Sequence, residues 1–265
     1  MKHLIKLKNV EETLLIPVWC RALETLNDNG IITDNYATRI CDEVDFNFSI
    51  LKNSWKSQVG VAIRTQIFDR KVSTFLKKYP DANIVILGAG LDARGFRLDN
   101  NLANWFHIDF KNVIDLRKVF FPDSKRHINM SSSILQKEWI NEIPKNRKTL
   151  FIAEGLLVYF TKQEIKELFT NIIDNFENPE ILAELICPIM AKKTKKHDSA
   201  SKFNVTFKSG FWNSNELEKM HSKISFVEET FLIDLHKRRW KILSMLSLLP
   251  KKFKGVKIAH YKIKK

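Results

Sequence analysis

The residues best placed to do chemistry begin with Gly88-Ala89-Gly90-Leu91-Asp92-Ala93. The run follows an apolar stretch and spells G-x-G-x-x-A, a pattern that lets the backbone turn tightly and approach a ligand closely. Asp109 closes the next apolar stretch, where a carboxylate accepts hydrogen bonds from the two hydroxyls of an adenosine ribose. Glu154 closes a later stretch, and Arg64 lies upstream on a helical pattern. A glycine turn and a ribose carboxylate serve NAD and S-adenosylmethionine equally well. Three other features separate the two. Gly95 makes the segment after the glycines a poor helix start, whereas a pyrophosphate sits on a helix N-terminus. A carboxylate at Glu154 repels a pyrophosphate but suits an ammonium and a sulfonium. Arg64 offers a planar fork to a carboxylate. Glu154, Arg64 and Asp109 together complement the polar groups of S-adenosylmethionine.

Placing these groups at one edge requires strands that end together. Asn83–Leu87 is a continuous apolar run, as in a strand buried on both faces. Further strands are predicted at Trp105–Asp109, Arg126–Met130, Lys148–Glu154 and Glu180–Ile186, with helices at Lys111–Phe120, Leu135–Ile143 and Thr161–Phe176 between them. Thr161 and Glu164 form a capping-box pair. This alternation implies a mostly parallel sheet. Residues 1–80 read as a helical segment: Leu14, Leu15, Val18 and Ala22 recur at helical spacing, Thr33-Asp34 caps a helix near Asn35, and a longer helix spans Ser57–Leu76. Residues 81–187 form the cofactor-binding core. Residues 188–222 are irregular and polar and read as a lid. Residues 223–265 carry strands at Phe226–Ile233 and Val256–Ile263 around a helical pattern at Leu235–Leu249.

Composition narrows the class. The chain has 265 residues, 44% hydrophobic, enough for one α/β domain with a sizeable core. No apolar run reaches the roughly 20 residues of a membrane span, so no membrane partner is expected. The start, Met1–Lys8, alternates charge with apolar residues and does not resemble a signal peptide. Cys20, Cys41 and Cys187 are too few and too dispersed for a disulfide framework or a zinc site, so no metal is expected and a cytoplasmic setting is. The net charge of +14 raises a nucleic-acid partner. The excess is mostly Lys, clustered at Lys192–Lys196 and from Lys251 to Lys265, with Arg paired only at Arg238-Arg239. Without an Arg and aromatic stripe, a solvated face is the better reading.

Val85 through Leu98, with its run Leu87-Gly88-Ala89-Gly90-Leu91-Asp92, closely resembles the glycine box of the leucine carboxyl methyltransferase family, which includes O-methyltransferases of polyketide pathways. Ala153-Glu154-Gly155-Leu156-Leu157-Val158-Tyr159-Phe160 resembles its second box. Arg64-Thr65 with Asp69, and Glu12–Pro17 with Arg21-Ala22, are similar to its upstream helices. The resemblance implies a Rossmann-like class I methyltransferase: a mostly parallel seven-stranded sheet with a C-terminal antiparallel strand, an N-terminal helical segment and a lid insertion. It implies that Arg64 holds the methionyl carboxylate, that Gly88, Ala89 and Gly90 lie under S-adenosylmethionine, that Asp109 takes the ribose, and that Glu154 lines the methionyl end. Phe110, Ser132 and Ser133 are expected at the adenosine end. Departures are Ala93 where the family carries Thr, His107 where it carries Glu, and Ser131-Ser132-Ser133 where it carries Asp-Leu.

Methyl transfer mainly requires donor and acceptor to be aligned and water excluded. A carboxylate acceptor needs no general base, whereas a hydroxyl acceptor calls for one. His107, His127 and His236 are the candidate bases, and Tyr159 is the expected catalytic residue, orienting donor or acceptor. A base-modifying nucleic-acid methyltransferase is disfavoured. The fourth strand runs into Glu154-Gly155-Leu156-Leu157 in place of an Asn/Asp-Pro-Pro-aromatic run, and Cys187-Pro188 has the wrong order for a cytosine-C5 nucleophile. The acceptor is expected to be a small-molecule carboxylate or acidic hydroxyl under Pro188–Leu249. Lys192–Lys196 and His236–Arg239 supply positive charge there, and Trp212 and Trp240 supply aromatic walls.

Overall fold

The computed structural model describes residues 3, 4, 7 and 9–264; most of the Met1–Lys8 start, and Lys265, lie outside them. Seven strands form one sheet: β1 (Asn83–Leu87), β2 (Asn104–Asp109), β3 (His127–Ser131), β4 (Thr149–Ala153), β5 (Glu180–Ile186), β6 (Ile224–Phe231) and β7 (Val256–Ile263). Their order is β3-β2-β1-β4-β5-β7-β6, and β7 runs antiparallel to both of its neighbours. This is the expected Rossmann-like arrangement.

The apolar strands sort by their period of two. Val85 and Leu87 join Phe106, Ile108, Phe151 and Ala153 on one face, covered by Ile165, Leu168, Phe169 and Ile172 of helix α5 (Lys162–Asn175). Ile84 and Ile86 join Trp105, Leu150 and Ile152 on the other face. Helix α3 (Trp55–Lys78) covers that face with Ile63, Ile67, Phe68 and Val72. Helices α1 (Leu15–Thr25) and α2 (Asn35–Glu43) pack with α4 (Lys111–Phe120) around Leu91 and Ala93 of the glycine loop. Asp34 caps α2, accepting from Ala37 N, and the Thr161–Glu164 capping box starts α5.

Three expectations shift. Between Leu135 and Ile143 only Glu138–Glu142 is helical. The sixth strand is Ile224–Phe231, because the chain leaves it as a 3-10 turn at Leu232–Asp234. The Leu235–Leu249 pattern does not become an α-helix: a helical turn at Lys237–Trp240 gives way to a 3-10 run at Lys241–Leu248. His236 and Lys241 take positive φ (48° and 53°), which breaks α-helical continuation.

Candidate active site

Strand register assembles the site. Leu87 pairs with Ile108 on one side and Ala153 on the other, and Ala153 pairs with Ala183. The next residues along these strands are Gly88, Asp109, Glu154 and Glu184, so all four reach the same sheet edge. A cavity of about 590 Å³ opens there, lined by Arg64, Gly88–Asp92, Asp109, Phe110, Glu154, Tyr159 and Glu184 among others.

The glycine loop is bare backbone for a steric reason. Gly88 has φ +62°, and a Cβ there would lie 2.6 Å from Leu156 Cδ1. Gly90 has φ +47°, and a Cβ there would lie 3.3 Å from Leu14 Cβ. Asp109 Oδ2 accepts from Gly90 N at 2.8 Å and Oδ1 from Phe110 N at 2.8 Å. Burial raises its pKa, opposed mainly by those two backbone bonds. Each carboxylate oxygen has one donor and further lone-pair capacity, as a ribose diol requires.

Arg64 sits between two carboxylates. Its Nε donates to Glu154 Oε1 at 2.8 Å and its Nη1 to Glu184 Oε2 at 3.0 Å. Glu184 also accepts from Gly155 N at 2.6 Å, and Gly155 has φ +64°. Arg94 Nη2 donates to Glu154 Oε2 at 2.6 Å, its Nη1 to Asp92 and its Nε to Asp69 at 2.7 Å. Burial is the largest influence on Glu154 and works to raise its pKa, but Arg94 and Arg64 together hold it below the ordinary carboxylate value. Burial dominates at Glu184 and raises it. Arg64, Asp92, Glu154 and Glu184 line the cavity and Arg94 backs Asp92 and Glu154 from behind, so guanidinium and carboxylate groups lie side by side at this edge, as the two charges of a zwitterionic amino-acid moiety require. Beneath the loop, Arg117 Nη1 donates to Gly90 O (3.1 Å) and Asp92 O (2.7 Å), and its Nη2 bonds His107 Nδ1 (2.9 Å).

Arg64, Gly88, Ala89, Gly90, Asp109, Phe110, Glu154 and Tyr159 all line the cavity. Ser132 and Ser133 are not among its lining residues; Ser132 N donates to Asp109 O at 3.0 Å. Tyr159 Oη donates to Thr13 Oγ1 at 3.1 Å, and burial raises its pKa, so it is a neutral phenol at working pH. None of the three candidate bases lines the cavity. His107 and His127 stack with ring centroids 6.2 Å apart beneath Phe96, and His236 Nε2 is bonded to Gln66 Oε1 at 2.8 Å. Of the expected acceptor features, Lys193, Lys196 and Trp240 line the cavity. Trp212 packs edge-on to Phe253 outside it, and Arg239 is bound to Glu24.

Sequence reasoning missed Glu184, Arg94, Arg117 and the lid pair His197-Asp198. Glu184 had a signal: an acid inside the otherwise apolar run of β5. Asp198 Oδ2 accepts from Lys56 N (3.0 Å) and Ser57 N (3.2 Å), capping α3 from the lid, and its Oδ1 accepts from Ser57 Oγ at 2.5 Å. His197 Nδ1 accepts from Ser199 N (3.4 Å) and Ala200 N (3.3 Å), and burial lowers its pKa.

The chain is similar to known methyltransferases in sequence and in fold. The sequence is 27% identical over 235 residues to the tetracenomycin polyketide synthesis O-methyltransferase TcmP of Streptomyces glaucescens, covering 88% of this chain and 87% of that protein. It is 28% identical over 200 residues to the S-adenosyl-L-methionine-dependent methyltransferase dpfgK of Gibberella zeae, covering 69% and 67%. The fold is similar to magnesium protoporphyrin IX methyltransferase of Synechocystis PCC 6803, solved with bound S-adenosylhomocysteine (TM-score 0.51, 10% identity, 87% of this chain and 94% of that one). The family description "Leucine carboxyl methyltransferase" matches residues 15–173. With more than half of its length matched and its two boxes at the cavity, the chain belongs to the leucine carboxyl methyltransferase family and is an S-adenosylmethionine-dependent O-methyltransferase.

Proposed function

We propose that the acceptor is a small-molecule carboxylate, or a hydroxyl acidic enough to be ionised, held under the lid that follows β5. The lid side of the cavity carries this reading. Lys193 and Lys196 line it beside His197, the only histidine among the described lining residues. With Nδ1 accepting from two backbone N–H groups, the neutral His197 ring carries its proton on Nε2. It is therefore a hydrogen-bond donor and not a base. A cationic wall with a donor and no free base suits an oxygen that is already anionic.

The remaining roles follow from the contacts. Bound S-adenosylmethionine supplies a methyl carbon activated by the sulfonium. Backbone at Gly88, Ala89 and Gly90 admits the cofactor closely, Asp109 accepts from the ribose hydroxyls, and Arg64, with Nε and Nη1 on Glu154 and Glu184, presents Nη2 to the methionyl carboxylate. Glu154 and Glu184 face the ammonium. We assign the adenine to the edge between Phe110, 47% exposed, and the Ser132-Ser133 turn bonded to the Asp109 carbonyl. Tyr159 orients the acceptor by turning its hydroxyl proton from Thr13 Oγ1 to the anionic oxygen, and the lid excludes water.

A pH–rate profile with carboxylate acceptors tests this reading. We expect base-labile methyl esters and a kcat that is flat from about pH 6 to 9. A kcat limb below the ordinary histidine value, the direction in which burial moves His197, that disappears in His197→Ala would establish a general base and move the acceptor to an un-ionised hydroxyl.

A further inference from the structure

We propose that the segment from Lys237 to Lys254 is a docking surface for an anionic lipid bilayer. In the 3-10 run Lys241–Leu248 no residue is buried. Ile242, Met245 and Leu248 are 74%, 61% and 81% exposed, and Leu249 and Phe253, 39% and 37% exposed, follow them in the chain. Large apolar side chains gathered in one exposed stretch mark an interaction surface. Between Leu235 and Lys254 the chain carries seven Lys and Arg and no Asp or Glu. Among the described residues, Arg239, Lys251 and Lys254 face Glu24, Glu229 and Asp234, while Lys237, Arg238, Lys241 and Lys252 have no carboxylate partner.

Charge selects the occupant. Apolar tips flanked by cations without carboxylate partners, two of them over the rings of Trp55 and Phe253, match the acyl boundary and phosphate layer of an anionic membrane, where side chains enter the boundary and lysines meet headgroups. A second copy docking by the same face would bring like charges together. Nucleic acid stacks on flat aromatic or guanidinium groups, whereas the most exposed apolar tips here are Ile242, Met245 and Leu248. Trp212 and Phe253, 38% and 37% exposed and in edge contact, suit the headgroup level. The expectation of no membrane partner rested on the lack of a spanning segment, which peripheral docking does not need. Leu243, Leu246 and Phe253 also line the cavity, so the docked surface adjoins the catalytic chamber. The proposal does not depend on the acceptor's identity.

The test is flotation of the whole chain with vesicles of phosphatidylcholine alone and of phosphatidylcholine with phosphatidylglycerol, at low and high salt. We expect partition onto the anionic vesicles only, weakened by salt. In Met245→Asp/Leu248→Asp, partition should fall at least about tenfold, with melting temperature and S-adenosylmethionine affinity unchanged. Ile242→Asp alone should give a smaller loss in the same direction. Three outcomes would overturn the proposal: no partition onto anionic vesicles, partition unaffected by the substitutions, or a wild-type dimer that the same substitutions turn into a monomer. Retention on duplex DNA in place of vesicles, lost in the variant, would assign the surface to nucleic acid.

Discussion

Replacing Arg64 by Met tests the polar edge most directly. Arg64, Glu154 and Glu184 have side chains only 13%, 10% and 8% exposed, so solvent screens their interaction little. Losing the guanidinium does not strand both carboxylates equally. Glu154 keeps Arg94 at 2.6 Å, whereas Glu184 keeps only the Gly155 N–H and loses its cation. Breaking a buried ion pair from one side costs about 3–5 kcal/mol. Burial already raises the Glu184 pKa, with Arg64 the main opposing influence, so the variant raises it further. A carboxyl with a raised folded-state pKa retains a proton that the unfolded chain releases. Stability of the variant is therefore greatest below the unfolded value of about 4.3 and is lost as pH rises through the folded-state value. Denaturant titration should show a deficit of about 3–5 kcal/mol at pH 8 and a clearly smaller one at pH 5. Calorimetric titration with S-adenosylmethionine should show affinity weaker by roughly 10- to 150-fold, one charge-assisted hydrogen bond being worth about 1.5–3 kcal/mol. Equal deficits at both pH values would refute the stranded-carboxylate argument, and wild-type affinity would refute the clamp. Arg64→Lys should be intermediate, since an ammonium keeps the charge but lacks the planar fork.

Asp109→Asn sets an amide NH₂ against one of two backbone N–H donors. It should cost about 1–3 kcal/mol of stability and weaken the cofactor, read by thermal melts and calorimetry. Unchanged binding would leave Asp109 as a loop staple only. Because burial raises the Asp109 pKa, wild-type cofactor affinity should fall as pH drops through that value, a dependence that Asp109→Asn should lack. Asp198→Ala removes the cap that the lid places on α3. It should cost about 0.5–2 kcal/mol and speed tryptic cleavage at Lys192–Lys202, whereas wild-type cleavage rates would show that the cap does not hold the lid.

Local chemistry made much of this protein legible in its sequence. Strands β1, β4 and β5 are buried along their whole length and apolar but for Asn83, Thr149, Glu180 and Glu184, because both faces are covered, and that pattern survives without any knowledge of partners. The glycines stand out because positive φ and a crowded neighbour exclude a side chain. The 3-10 run at Lys241–Leu248 was misread as helix because its periodicity says nothing about the positive φ at Lys241 that interrupts it. The tertiary structure alone decided which charges meet. Glu184 comes beside Glu154 through the pairing of β4 with β5, and Arg64 reaches both from a helix about a hundred residues earlier in the chain. It also decided which histidine lines the cavity: strand packing buries His107 and His127 beneath Phe96, while the lid brings His197 in. A spacing rule reports which residues share a strand or a helix face; the pairing of carboxylate with guanidinium across the sheet edge is set only when register and packing bring distant segments together.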